Sequence, residues 1–177
     1  MKLWFWYFIV YSFLGFLMEK GFAWGTRAEK RNRKCFLLLP LCPVYGLGVL
    51  SVLALPPSFL QLPWGFLSGA VAATAVEYAV HWAYDKALGV QFWDYSELRG
   101  NLKGRVCLPF TLVWGALAVL MVRFVHPEVI RLVSRIPDAG TYGMLLVFTA
   151  DAVCSAFFLA RTHDTEALHP RSVGMTF

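Results

Sequence analysis

The chain has 177 residues, of which 58% are hydrophobic and 15% charged, with a formal net charge of +5. An ordinary soluble domain is about 45–50% apolar and about 25% charged, so this composition excludes a water-soluble globule, and so apolar a chain does not stay disordered. The basic residues sit between apolar runs and form no stripe on a polar scaffold, which excludes nucleic acid as a partner and makes the lipid bilayer the expected surroundings.

Residues 3–24 open with Trp4, Trp6, Tyr7 and Tyr11 and are followed by no small-residue cleavage site, so they read as a retained helix rather than a signal peptide. Four more segments, 36–55, 64–84, 106–125 and 140–160, are long enough to cross about 30 Å of hydrocarbon at about 1.5 Å per residue. The expected fold class is all-α: a polytopic membrane helix bundle of about five transmembrane helices with a broken or re-entrant second span. One transmembrane domain would cover 1–160, leaving 161–177 as a short, loosely ordered cytoplasmic tail. Twelve of the sixteen Lys and Arg fall on one side of such a bundle, in the Lys20–Lys34 region, the Lys86–Arg105 region and the tail. By the positive-inside rule the protein is then a multi-pass protein of the plasma (inner) membrane, with its amino end outside and its carboxyl tail cytoplasmic.

In the first segment Tyr11 and Ser12 precede Glu19, which lies close enough to the inner end to snorkel or to pair with the following basic loop. The second segment is interrupted by Pro40 and by the run Cys42, Pro43, Val44, Tyr45, Gly46. Proline lacks an amide proton and suits a first helical turn, so regular helix is expected to begin near Pro43. The piece from Leu37 to Cys42 would be unwound, either as a plain proline kink or as a half-helix entry that dips into the membrane.

Glu77 and Asp151 are predicted at similar mid-membrane depth, where an ionised side chain costs at least ~2.5 kcal/mol. No Lys or Arg falls in the centre of any segment, so each carboxyl must be protonated, hydrogen-bonded or neutralised by a cation. The two are expected to face one another across one protein-lined interior. They act either as glue between helices or as a transport or proton-relay site. Gly65, Gly69, Ala73, Glu77, His81 and Asp85 recur at intervals of four along one ridge, small at its outer half and acidic and imidazole-bearing at its inner half. Glu77, His81 and Asp85 either present metal ligands along this face or are hydrogen-bonded. Further on, Trp93, Asp94, Tyr95, Ser96 and Asn101 form either an interfacial aromatic anchor or a re-entrant loop ordered by its short polar groups. Cys35, Cys42, Cys107 and Cys154 lack metal or redox spacing and read as small buried hydrophobes.

Taken in order, Y-S-F-L-G-x-x-x-E (Tyr11–Glu19), C-P-V-Y-G-x-G (Cys42–Gly48), E-Y (Glu77, Tyr78), W-D-Y-S (Trp93–Ser96), N-L-x-G-R-x-C-L (Asn101–Leu108), W-G (Trp114, Gly115), H-P (His126, Pro127) and I-P (Ile136, Pro137) resemble a family of small bacterial membrane proteins. That family is called "Putative ABC-transporter type IV", or CmpB-like, and the resemblance runs from residue 1 to about 160. The sequence departs from the family pattern at Leu38-Leu39-Pro40, at His81 where a glycine is expected, and at Pro109. The resemblance implies a permease-like role. No G-x-x-x-x-G-K-[ST] phosphate loop is present, so ATP hydrolysis would need a separate ATPase or other membrane subunit.

The reading that follows is a small transporter or permease subunit, more a carrier than an enzyme, with no cofactor implied. Its candidate substrate- or ion-binding residues are Glu77, Asp151, Glu19, His81, Tyr11, Ser12, Cys42, Pro43, Tyr45, Trp93, Asp94, Ser96 and Asn101, and a homodimer is expected to help enclose the pathway. The alternatives are a membrane-embedded enzyme acting on a lipid or lipid-linked substrate at the cytoplasmic interface, and a structural membrane subunit.

Overall fold

The computed structural model describes residues 1–25 and 35–168. The basic run Arg27–Lys34, central to the charge asymmetry, lies outside the described residues, as do His169, Pro170 and Arg171. Helix α1 spans Lys2–Gly25, α2 Pro43–Leu53, α3 Trp64–Leu88, α4 Leu108–Leu120, α5 His126–Val133 and α6 Asp138–Thr162. One short antiparallel pair, β1 (Asn101–Leu102) and β2 (Val106–Cys107), lies in the loop before α4.

Helix α4 runs through a π turn, Met121–Val125, directly into α5, making one rod from Leu108 to Val133. The apolar segment expected over 106–125 is longer in the structure: helix continues to Val133. The π turn explains how Pro127 is accommodated. The His126 N–H bonds back to the Met121 carbonyl, and the proline that follows needs no amide partner of its own. Continuing the helix also buries Val129 and Val133 against Tyr7 and Tyr11 of α1.

Two rods, Leu108–Val133 and Asp138–Thr162, are long and apolar enough to cross a membrane. Helices α1 and α3 match them in length, with 24 and 25 residues. The segment expected to span from 36 to 55 does not do so as helix. Only 11 residues, Pro43–Leu53, are helical, which is about 16 Å.

Three amides of the non-helical stretch before Pro43 are tied to α1 and α6. The amides of Leu38 and Leu39 donate to the Asp151 carboxylate at 3.2 and 3.1 Å, and that of Cys42 donates to the Ser12 carbonyl at 2.9 Å. Cys35 is joined to Cys42 in a disulfide, which corrects the reading of both as plain buried hydrophobes. Proximity in the fold, not C-x-x-C spacing, brings them together: the turn over Leu38–Pro40 reverses the chain. The tail expectation also changes. His163 donates to the Leu88 carbonyl through Nδ1 at 2.8 Å, and Leu168 is buried with Val90, Phe92 and Leu159, so both ends of the 163–168 segment pack back onto the bundle.

Small residues let the helices touch. On the α3–α4 face, a Cβ at Gly69 would meet Ala118, and one at Gly115 would come within 2.8 Å of the Phe66 carbonyl oxygen. On the α1–α2 face, Gly15 lies under the Tyr45 ring and Gly46 under Ser12 and Phe8. Such close backbone approach replaces the hydrophobic effect as the adhesive between helices in lipid. Accordingly, Gly115→Leu should cost ~1–3 kcal/mol through overpacking. Gly143→Ala, at a position with open space around it, should leave the detergent-solubilised melting temperature unchanged or slightly raised.

Candidate functional site

The buried residues of α3 are Gly65, Gly69, Ala70, Glu77 and His81, so the ridge read from the sequence faces inward. The loop 89–107 folds back along its inner half, antiparallel to the helix. Arg105 meets Asp85 at 2.9 Å, the Trp93 carbonyl meets His81 Nε2 at 3.0 Å, and the Tyr95 hydroxyl donates to Glu77 Oε1 at 3.0 Å. From the end of α3 at Leu88 back to Glu77 is eleven residues, about 16 Å of helix rise, so the loop reaches deep between the helices.

The short polar residues of the loop explain how irregular backbone survives there. Asp94 Oδ1 accepts from the Ser96 amide at 2.9 Å, Asn101 Nδ2 donates to the carbonyls of Ser96 and Leu98, and Asn101 Oδ1 accepts from the Gly104 amide. Gly104 has φ +67°, and a Cβ at that position would meet Asp94 Oδ1. These are the local side-chain-to-backbone bonds that fix turns. Trp93 Nε1 donates to the Arg105 carbonyl at 2.9 Å and closes the base of the loop.

The remaining oxygen of Glu77, Oε2, accepts from Trp114 Nε1 on α4 at 2.9 Å. Glu77 is thus held by two neutral donors from two separate elements, and is 4% exposed. A second carboxyl lies close by: the Tyr45 hydroxyl donates to Glu19 Oε1 at 2.6 Å, while the Tyr45 ring packs edge-on against Trp114. Burial, and then the neighbouring Glu77 carboxylate, push the Tyr95 hydroxyl well above the usual phenol range, so it remains a donor.

Two cavities meet at this cluster. One, of about 470 Å³, is almost wholly apolar and runs from Glu77 and Trp114 past Val49, Ala73 and Ala118 to Val52 and Val125. The other, of about 490 Å³, runs the opposite way, from the same residues past Glu19, Pro43 and Phe110 to Cys35, Tyr84 and Phe92. On each of α1 to α4 the two linings occupy successive stretches of the helix. They share Met18, Val44, Tyr45, Glu77, Trp114 and Leu117. The cavities therefore lie end to end along the bundle, with the Tyr45–Glu77–Trp114 cluster as their common wall.

The structure brings Glu77, Glu19, Tyr45, Cys42, Pro43 and Trp93 around the second cavity and puts Tyr11 on the first. Tyr11 shares a hydrogen bond of 2.9 Å with His126 Nδ1. Ser12 is buried at the α1–α2 contact, and His81, Asp94, Ser96 and Asn101 hold the loop in place. The expectation that Glu77 and Asp151 face one another is overturned. They share no partner and no cavity, because Asp151 is taken up by the amides of Leu38 and Leu39 on the far side of the unwound stretch. Among the described residues, no three His, Cys, Asp or Glu side chains come together to hold a metal ion. Glu77, His81 and Asp85 each turn to a different partner.

Sequence reasoning missed Tyr95 and Trp114 as partners of Glu77, although both stand in quoted motifs, because an aromatic beside a membrane reads first as an interfacial anchor. It also counted Arg105 only as a topology signal, whereas Arg105 clamps Asp85 and lies over the Tyr78 ring. A family model described as "Putative ABC-transporter type IV" matches residues 6–158, in agreement with the motif resemblance. No curated protein and no solved structure matches the chain.

The two donors to Glu77 can be tested directly. Hydrogen bonds to charged groups are worth about 1.5–3 kcal/mol, so Tyr95→Phe and Trp114→Phe should each lower stability by roughly that amount. A double-mutant cycle of Tyr95→Phe with Glu77→Leu, which removes the acceptor, should show a coupling of about 0.5–3 kcal/mol, and strictly additive losses would mean the bond is absent.

Proposed function

The chain belongs to the "Putative ABC-transporter type IV" family, and from that premise we propose that it is a small transport protein of the inner membrane whose substrate passes the Tyr45–Glu77–Trp114 wall. The observation that carries this is the end-to-end pair of cavities meeting at a buried carboxyl group held only by neutral donors. Side-chain donors can be exchanged for substrate contacts by rotation, so such a carboxyl can take part in binding and release without unfolding any backbone. Energy from ATP would come from a separate subunit, since the chain has no phosphate loop. One chain lines both cavities without closing them, and in this reading a homodimer would complete the enclosure.

Residues 1–160 act in this reading as one membrane domain, with the amino end outside and residues 161–177 on the cytoplasmic side. The first cavity then opens toward the outer face and the second toward the inner. In a background with Cys35, Cys42, Cys107 and Cys154 all replaced by Ser, a membrane-impermeant maleimide should label Val49→Cys only from outside and Phe110→Cys only from inside. Adding Trp114→Ala should let each position react from both sides. Labelling of both positions from one face would defeat the reading.

The orientation has its own check in the Cys35–Cys42 pair. Cytosolic thiols are kept reduced, so an inward-facing pair stays a dithiol in the living cell and closes on aerobic purification. A membrane-permeant alkylating agent added to intact cells should therefore modify Cys35. Resistance before, but not after, treatment with reductant would invert the assigned topology.

A further inference from the structure

The second cavity has a chemical character that the transport reading does not by itself specify. Its wall carries two carboxyl groups, Glu19 and Glu77, and no Lys or Arg among the described residues. The remaining wall is dominated by aromatic rings, with Tyr45 and Trp114 at the shared wall, Trp93 and Tyr95 from the loop, and Tyr84 and Phe92 toward the opening. Aromatic faces attract cations electrostatically, more strongly where water is excluded, and carboxylates supply the countercharge. A volume of about 490 Å³ falls in the range of small-molecule sites, about 300–1,000 Å³. A bare metal ion is a poor match, because the wall has few oxygen ligands and much apolar surface.

One feature of the wall opposes a cation. The amino end of α2 points to the cavity at Pro43 and carries up to about half a positive charge. That effect is diminished here: Pro43 has no amide proton, and the Tyr45 amide is already bonded to the Cys42 carbonyl at 3.1 Å. Two carboxyl groups outweigh what is left.

We propose that the cavity lined by Glu19, Glu77 and these aromatic rings binds a lipophilic organic cation, with the positive centre between the two carboxyl groups and the apolar groups against the rings. This rests on the transport reading and names the class of molecule carried.

The test uses the full chain in lipid nanodiscs and two probes of nearly equal size and opposite charge, tetraphenylphosphonium and tetraphenylborate, with empty nanodiscs subtracted. Tetraphenylphosphonium should bind saturably at one site per chain, and Glu77→Gln and Glu19→Gln should each weaken it at least tenfold. Gln at position 77 keeps an acceptor oxygen for Trp114 and turns its amide NH2 to the Tyr95 hydroxyl, which can accept, and among the described residues Glu19 is bonded through Tyr45, so at least one variant should fold normally, as its melting temperature would show. Tetraphenylborate should show no saturable binding. Saturable borate binding, phosphonium binding equal in all three proteins, or no phosphonium binding would each overturn the cation assignment. In the last case, cysteine labelling from opposite faces would still leave the conduit standing, whereas labelling from a single face would remove the conduit without bearing on a measured phosphonium affinity.

Discussion

The fold is organised around one buried carboxyl group. Burying the carboxyl group of Glu77 in the middle of α3 is costly unless it is hydrogen-bonded, and the sequence answers that cost with two aromatic hydrogen-bond donors instead of a basic residue. Tyr95 and Trp114 reach Glu77 from a loop and from α4, so neither can be satisfied unless both elements are seated against α3. Trp114 in turn is near enough only because Gly69 and Gly115 let α3 and α4 touch. The small outer half of the ridge and the acidic inner half are thus one device: close approach at one end sets the distance at which a donor can serve the carboxyl at the other.

The loop 89–107 meets the converse problem, irregular backbone between helices, where unpaired amides and carbonyls cost several kcal/mol each. Its answer is internal. Asp94 accepts from the Ser96 amide, Asn101 donates to the Leu98 carbonyl and accepts from the Gly104 amide, the β1–β2 pair takes up two more positions, and the Arg105–Asp85 ion pair ties the base to the last turns of α3. A loop satisfied in this way is a rigid arm, which is what holding Tyr95 at Glu77 demands.

Much of this was legible in the sequence. The four-residue period of Gly65, Gly69, Ala73, Glu77 and His81 identified the inward face of α3, and the prolines at 40 and 43 identified where regular helix begins. What was not legible is what depends on three dimensions. Pro127 reads as a helix boundary because the cost of its missing amide is visible and the π turn that removes it is not. The Cys35–Cys42 bridge is invisible to spacing rules because it is made by a chain reversal over Leu38–Pro40. The error about Asp151 has the same origin. Depth along a helix can be counted from the sequence, but the direction in which a side chain points across the bundle cannot.

Glu77 and Asp151 are two solutions to the same physical problem, and the difference between them bears on which can work as a site. Asp151 is held by backbone amides, and the stretch that supplies them is fixed at one end by the Cys42 amide on the Ser12 carbonyl. Releasing Asp151 would require moving that whole stretch, so it behaves as a structural pin for the entry to α2. Glu77 is bonded only by side chains whose rings can turn while their helix and loop stay in place. It sits where two cavities meet, with Glu19 and Tyr45 close enough to take part in any exchange of partners. Two hydrogen-bonded carboxyl groups on apolar helices are therefore not equivalent: the kind of donor, backbone amide or side chain, separates a carboxyl that pins the fold from one whose partners can be exchanged.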